Sequence, residues 1–510
     1  MLLVDLVTAT EAVAATRSRR EKIAALAAAL GLLTPAEALP AIGLLVGKPR
    51  QGRLGVGWRT LQTVQAPPAA EPELTIAAVD AAFDALAAAA GPGSAAERVT
   101  VLGGLLSRAT AREQEFLGRV ILGDVRTGAL EGVVTDAVAQ ASGLPLDVVR
   151  RAAMLTGDLG ETARLALSGS DLTAVGLHVG RPVLPMLAGT AATAAEAVAA
   201  TGTASVEYKL DGARIQVHRR GDKVSVFTRS LADITHRLPE VVDAVRGLDA
   251  RDVILDGETL ALAEDDAPRP FQETMARFGA AFRQGDGAEE AALRPWFFDI
   301  LHLDGRDLLD EPLAVRRAEL ERVAGAYRIP GEVTADPQVA ERVAQAALAA
   351  GHEGVVVKAI DAPYAAGRRG ASWLKVKPVH TFDLVVLAAE WGYGRRTGLL
   401  SNLHLGALDP AGEFGDPGGF VMVGKTFKGL TDALLRWQTE RFPQLAVRET
   451  PGTVWIAPEI VVEIAIDGVQ RSTRYPGGVA LRFARVKRYR DDKRPQEADT
   501  IQTLRALLRA

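Results

Sequence analysis

Apolar residues recur at three- and four-residue spacing from residue 1 to about residue 170. EKIAALAAALG, AAVDAAFDALAAAA and AREQEFLGRVILGDV each carry such a face, bounded by Gly, Pro or Ser/Thr. The spacing predicts helices, and strand signals are scarce here. After Gly180 the pattern changes. RPVLPMLA is a connector with two prolines. Short β-type segments then alternate with turns: VEYKL, ARIQVHR, KVSVFTR, VILDGETLAL, PWFFDIL, GVVVKA and SWLKVKP. The helical stretches LAVRRAELERVA and VAERVAQAALAA intervene, which predicts a mixed α+β domain. From about residue 381 short strands return, in FDLVVLAAEW, LHLGAL, GFVMVGKTF, IVVEIAIDGV and LRFARVKRYR, with one helix, TDALLRWQTERF. Short strands with a single helix predict a small barrel. The expected domains are 1–175 (all-α), 176–380 (α+β) and 381–510 (β-barrel).

A length of 510 residues has room for about three domains of roughly 150 residues each. No run of about 18 uncharged apolar residues occurs, so no membrane span is expected. The first residues, MLLVDLVTATEAVAATRSRR, have an early Asp5 and a short apolar stretch, and are expected to start a helix, not a secretory signal. Cysteine is absent, which excludes disulfides and thiolate zinc sites and fits a reducing cytosol. The net charge of −4 gives no overall nucleic-acid signature, so any basic groove must be local.

The candidate chemistry centres on SVEYKLDGARIQVHRRGDKVSVFTRS, residues 205–230. Lys209 lies at the end of a strand, between Glu207 and the turn Asp211-Gly212. A lysine is a poor nucleophile at its reference pKa of about 10.4. Desolvation and neighbouring cations would disfavour its charged form. Gly212 permits a positive φ or a close approach, and Arg214 and Arg229 suit a phosphate. A bare K-x-D-G match is weak by itself. Downstream, LDGE supplies Asp256 and Glu258, FFDIL supplies Phe298 and Asp299, and EGVVVK supplies Glu353 and Lys358. SWLKVKP places Lys375 and Lys377 on one face of a strand. Taken singly, each is more readily a solvated strand residue. Together they suit a nucleotide cleft, with an aromatic for the base, carboxylates for a divalent metal and cations for the phosphates.

The ordered segments EYKLDGAR, FTRS, LDGE, FFDIL, EGVVVK and SWLKVKP resemble the motifs of the ATP-dependent DNA ligases, members of the covalent nucleotidyltransferase superfamily. RFARVKRYRDDKRPQEADT resembles the last motif of the set, and EQEFLGRVILGDVRTGALEGVVTDAVAQA resembles the helical DNA-binding domain of the larger ligases. Ala484 stands where many relatives have proline, and Lys487 where an apolar residue is usual. The resemblance implies a C-terminal OB-fold barrel, a central nucleotidyltransferase domain and an N-terminal DNA-binding domain. It implies that Lys209 is the adenylylated nucleophile, that Glu207 reads the adenine edge and that Phe298 stacks on the ring. Arg214 and Arg229 would contact sugar and phosphate, and Arg369, Lys375 and Lys377 would face the phosphates. Glu258 would contact the ribose or a metal, and Glu353 would hold the metal. The implied cofactors are ATP and Mg2+. The implied substrate is nicked double-stranded DNA, acted on by a monomer in the bacterial cytoplasm at the nucleoid.

Competing readings are weaker. Gly419, Gly424, Lys425 and Thr426 have the spacing of a P-loop, but the residues between are Phe420, Val421, Met422 and Val423. These predict a buried strand, whereas a P-loop needs exposed N–H groups following a hydrophobic strand. RNA ligases and capping guanylyltransferases share the central motifs, and the long helical region favours duplex DNA instead. A catalytically dead clamp would need a broken motif, and NAD-dependent ligases typically carry a four-cysteine zinc module. Seven basic residues between Arg482 and Arg494, interrupted by Asp491 and Asp492, are expected to contact phosphate across the cleft.

Overall fold

The computed structural model describes residues 1–64, 66–125, 131–263, 268–269, 271–276, 278, 293–365 and 369–508; the side chains of residues 271, 272, 276, 369 and 395 also lie outside the description. Ten described helices, from Leu3–Ala15 to Leu159–Leu167, form the N-terminal region. Their ends are capped by the residues the sequence puts there. Thr110 accepts from the Glu113 amide, and the Glu113 carboxylate accepts from the Thr110 amide at 2.8 Å. Asp158 caps Leu159–Leu167 through the Gly160 and Glu161 amides at 2.7 and 3.1 Å. The apolar faces meet in one core that includes Leu6, Leu30, Leu45, Phe83 and Leu117.

The central region holds two five-stranded sheets. In the first the spatial order is Leu187–Thr190, Arg369–Val376, Gly354–Ala359, Ala204–Lys209 and Gly331–Thr334. In the second it is Lys223–Thr228, Ala213–Arg220, Asp252–Ala261, Leu293–Leu303 and Arg306–Asp307. Helices Ala194–Thr201 and Pro337–Ala349 cover the first sheet, and Pro239–Arg246 and Leu313–Ala324 the second. The chain crosses between the sheets at Leu210–Gly212. A Cβ on Gly212 would stand 2.5 Å from the Thr259 carbonyl oxygen and 2.9 Å from Glu258 Cγ. Glycine therefore serves close approach here, which keeps Lys209 and Glu258 at one crossing.

The C-terminal region is built on the long strand His380–Trp391. Its first half pairs with Val461–Ile466, and its second half with Leu400–Asp409 and Thr453–Ile456. Seven strands join in this sheet. Gly419–Thr426 and Arg485–Tyr489 lie at its ends, and the Val486 amide donates to the Lys428 carbonyl at 2.9 Å to draw them together. The strand pairs themselves stop short of a closed barrel. The P-loop spacing falls within Gly419–Thr426, paired from Gly419 opposite Asp409 to Thr426 opposite Leu403. The segment is held extended by this pairing along one edge of the sheet, and no phosphate cradle forms. The chain thus has an all-α region, an α+β region and a C-terminal sheet region, as the periodicity predicts.

Candidate active site

A cavity of about 910 Å3 opens between the two central sheets, and the C-terminal sheet region supplies part of its wall through Arg482 and Phe483. Lys209 ends the strand Ala204–Lys209 inside it. The Lys209 carbonyl accepts from the Glu353 amide at 2.9 Å, and the ammonium contacts the Glu353 carboxylate. Glu353 also stands 3.9 Å from Lys377 Nζ, which donates to Asp467 at 2.6 Å. Burial pushes the Lys209 pKa down, but the charges of Glu353 and Glu258 outweigh it and hold the pKa above its ordinary value. The expectation of a lysine neutralised by surrounding cations is corrected. Its immediate neighbours are carboxylates, because strand register brings Glu353 beside it.

Glu258 answers in the opposite sense. Burial pushes its carboxyl up to about 7 against the attraction of Lys209 and Arg214, with Glu353 and Asp256 adding like-charge repulsion. Arg214 donates to both oxygens of buried Asp256 at 3.1 and 2.6 Å, and Tyr364 donates to the same carboxylate at 2.6 Å. Although desolvated, Arg214 is held well above the ordinary arginine value by Asp256. Glu207 is buried, 2.5 Å from Lys358 Nζ, and accepts from the Ser205 hydroxyl at 2.8 Å. Lys358 Nζ donates to the Phe298 carbonyl at 3.0 Å and sits 4.4 Å from the Phe298 ring centre and 4.3 Å from that of Trp373. The Arg214 guanidinium lies 5.3 Å from the Phe298 ring. An aromatic wall flanked by two cations therefore forms beside Lys209.

Arg229 is exposed and lines the cavity, as do Lys375 and Lys377. The backbone of Arg369 begins the strand Arg369–Val376, while its side chain lies outside the described residues. The structure thus brings together Lys209, Glu207, Arg214, Arg229, Glu258, Phe298, Glu353, Lys375 and Lys377. Sequence reasoning did not single out Tyr364 or Trp373, although Trp373 lies within the segment SWLKVKP, where only the two lysines stood out. Lys358 was visible in EGVVVK, but its pairing with Glu207 was not. Of the C-terminal basic run, Arg482 reaches the cavity and grips Asp211 at 2.6 and 3.1 Å. Arg485, Arg488, Arg490 and Lys493 face carboxylates of their own region. Arg485 meets Asp467 at 3.3 Å, Arg488 meets Glu463 at 2.8 Å, and Lys493 meets Asp383 at 2.6 Å. Four of the seven cations of the run are thus paired within their own region.

A strand-end lysine at a crossing of two sheets, under a second sheet region that reaches into the same cavity, defines a nucleotidyltransferase domain. Three family models match in order: "DNA ligase N terminus" over 59–139, "ATP dependent DNA ligase domain" over 185–377 and "ATP dependent DNA ligase C terminal region" over 396–493. A relative named "Probable DNA ligase" from Pseudarthrobacter chlorophenolicus is 67% identical over 100% of both chains. Another of that name, from Saccharopolyspora erythraea, is 57% identical over 99% of this chain and 98% of its own. A solved structure titled "Pmar-Lig_PreS3" has a TM-score of 0.63 over 95% of this chain and 99% of its own at 18% identity, a likeness of fold. The chain belongs to the ATP-dependent DNA ligase family. Among the described residues no helix is long and apolar enough to cross a membrane.

Proposed function

We propose that this chain seals nicks in duplex DNA through a lysyl-AMP intermediate. The observation that carries the reading is Lys209, a strand-end amine in a cavity walled by Phe298, carboxylates and basic side chains. After losing its proton, the Lys209 amine attacks the α-phosphorus of ATP. A P–N bond forms, the bond to the bridging oxygen of the β-phosphate breaks, and pyrophosphate leaves. An oxygen of the 5′-phosphate at a nick then displaces the lysine, which takes back a proton. The 3′-hydroxyl finally attacks that 5′-phosphorus and AMP departs. Phe298 offers its face to the base and Glu207 lies at the adenine edge. Arg214 and Arg229 hold sugar and phosphate, and Arg369, Lys375 and Lys377 attract the phosphates.

The donor chemistry fits Mg2+. Among the described residues no three ligating side chains cluster, and Mg2+ usually takes one or two carboxylates together with substrate phosphates. Glu258 and Glu353 are the carboxylates placed to hold it. When bound it would offset phosphate charge. We assign residues 1–175 to gripping duplex DNA, 176–380 to adenylylation and 381–510 to an OB-fold. The protein acts as a monomer in the bacterial cytoplasm, at the nucleoid. Incubation with α-labelled ATP and magnesium should yield a labelled protein band that Lys209→Ala loses and that a nicked duplex discharges. A labelled adduct persisting in folded Lys209→Ala would refute the assignment.

A further inference from the structure

One wall of the nucleotide cavity comes from an unexpected place. Arg53 belongs to the helical N-terminal region, yet it lines the same cavity as Lys209. The chain on both sides of it is anchored. The Gln51 side-chain amide donates to the Asp80 and Asp84 carboxylates at 2.8 and 3.0 Å, and Leu54 is buried in the helical core. Gly52 and Gly55 adopt φ values of 71° and 68°, so the loop turns on either side of Arg53. A Cβ on Gly55 would stand 2.6 Å from the Arg98 side chain. The backbone of Arg53 is thus held in place while its guanidinium stays exposed.

Charge decides what that guanidinium is for. Lys209, Arg214, Lys358, Lys377 and Arg482 each already face a protein carboxylate. Arg53 and Arg229 line the cavity with no hydrogen-bond or ion-pair partner among the described residues. A triphosphate is attracted most by cations that no carboxylate has neutralised, and a planar guanidinium can hold two phosphate oxygens at once.

We infer that Arg53 binds the phosphates of ATP before pyrophosphate leaves, so that the helical region takes part in the first chemical step as well as in holding DNA. The inference rests on the lysyl-AMP reading above and deepens it. The test measures protein-AMP formation by the full chain in a single turnover without DNA, as a function of ATP concentration. Arg53→Ala should raise the half-saturating ATP concentration about ten-fold, the scale of one charge-assisted hydrogen bond. Arg53→Lys should recover part of the loss, and Arg53→Glu, a charge reversal at an exposed position, should exceed it. Arg59→Ala removes an exposed arginine that lies outside the cavity, and should match wild type. An unchanged ATP dependence in Arg53→Ala and Arg53→Glu overturns the inference while leaving the lysyl-AMP reading standing. So does a defect confined to closure of a pre-adenylylated nick, which would make Arg53 a DNA contact. A wild-type protein that forms no protein-AMP would overturn both.

Discussion

Glu258→Gln should make the ligand-free protein more stable while slowing its chemistry. The folded carboxyl titrates at about 7, against an ordinary value of 4.5. Because the folded pKa is raised, the folded state holds the proton more tightly than the unfolded chain. Below pH 4.5 both states are protonated and the site is neutral to stability. As pH rises through the window from 4.5 to 7, stability falls, and above it the whole penalty is present. A gap of about 2.5 pH units at 1.36 kcal/mol each amounts to about 3 kcal/mol at pH 8 and about 1.5 kcal/mol at pH 5.5. Glutamine keeps the shape and removes the charge. At roughly 2–4 °C per kcal/mol for a domain of this size, Tm should rise by about 6–12 °C at pH 8 and by about half that at pH 5.5. Scanning calorimetry can follow the transition of the central region, recognised as the one that ATP without magnesium raises. Protein-AMP formation should meanwhile drop sharply, since Glu258 is assigned to the ribose or metal. A variant less stable than wild type at pH 8, or one stabilised equally at both pH values, would refute the electrostatic account of this site.

Phe298→Ala removes the aromatic face between Lys358 and Arg214. It should weaken ATP binding by ~1–3 kcal/mol, read as the ATP dependence of protein-AMP formation, and unchanged affinity in a folded variant would exclude base stacking there. Arg482→Ala should slow protein-AMP formation about ten-fold, because Arg482 reaches the cavity and steadies Asp211 beside Lys209. Lys493→Ala should affect that step far less, since Lys493 is bonded to Asp383 within the C-terminal region. Equal rates in the two variants would mean that Arg482 does not act on the first step.

Local pattern determined a good deal of this protein. Spacing of three and four marked the helices up to Leu159–Leu167, and alternation marked the strands that carry Lys209, Glu258 and Phe298 and the strand Gly354–Ala359 that Glu353 precedes. Both periods arise from backbone geometry a few residues long, so a single sequence suffices to display them. The run Phe420–Val423 showed by the same logic that the P-loop spacing belongs to a strand. Charge partners are another matter. Lys209 and Glu353 are 144 residues apart, and Asp211 and Arg482 are 271 apart. Their meeting depends on sheet order, register and the packing of one region on another, none of which local periodicity encodes. That is why the pKa of Lys209 moves up where the sequence suggested down. It is also why most of the basic run from Arg485 onward is spent on Asp467, Glu463 and Asp383. Tertiary structure alone placed Arg53 in the nucleotide cavity. The loop that holds it is legible only as glycines and charges, and which wall it reaches is settled by long-range packing.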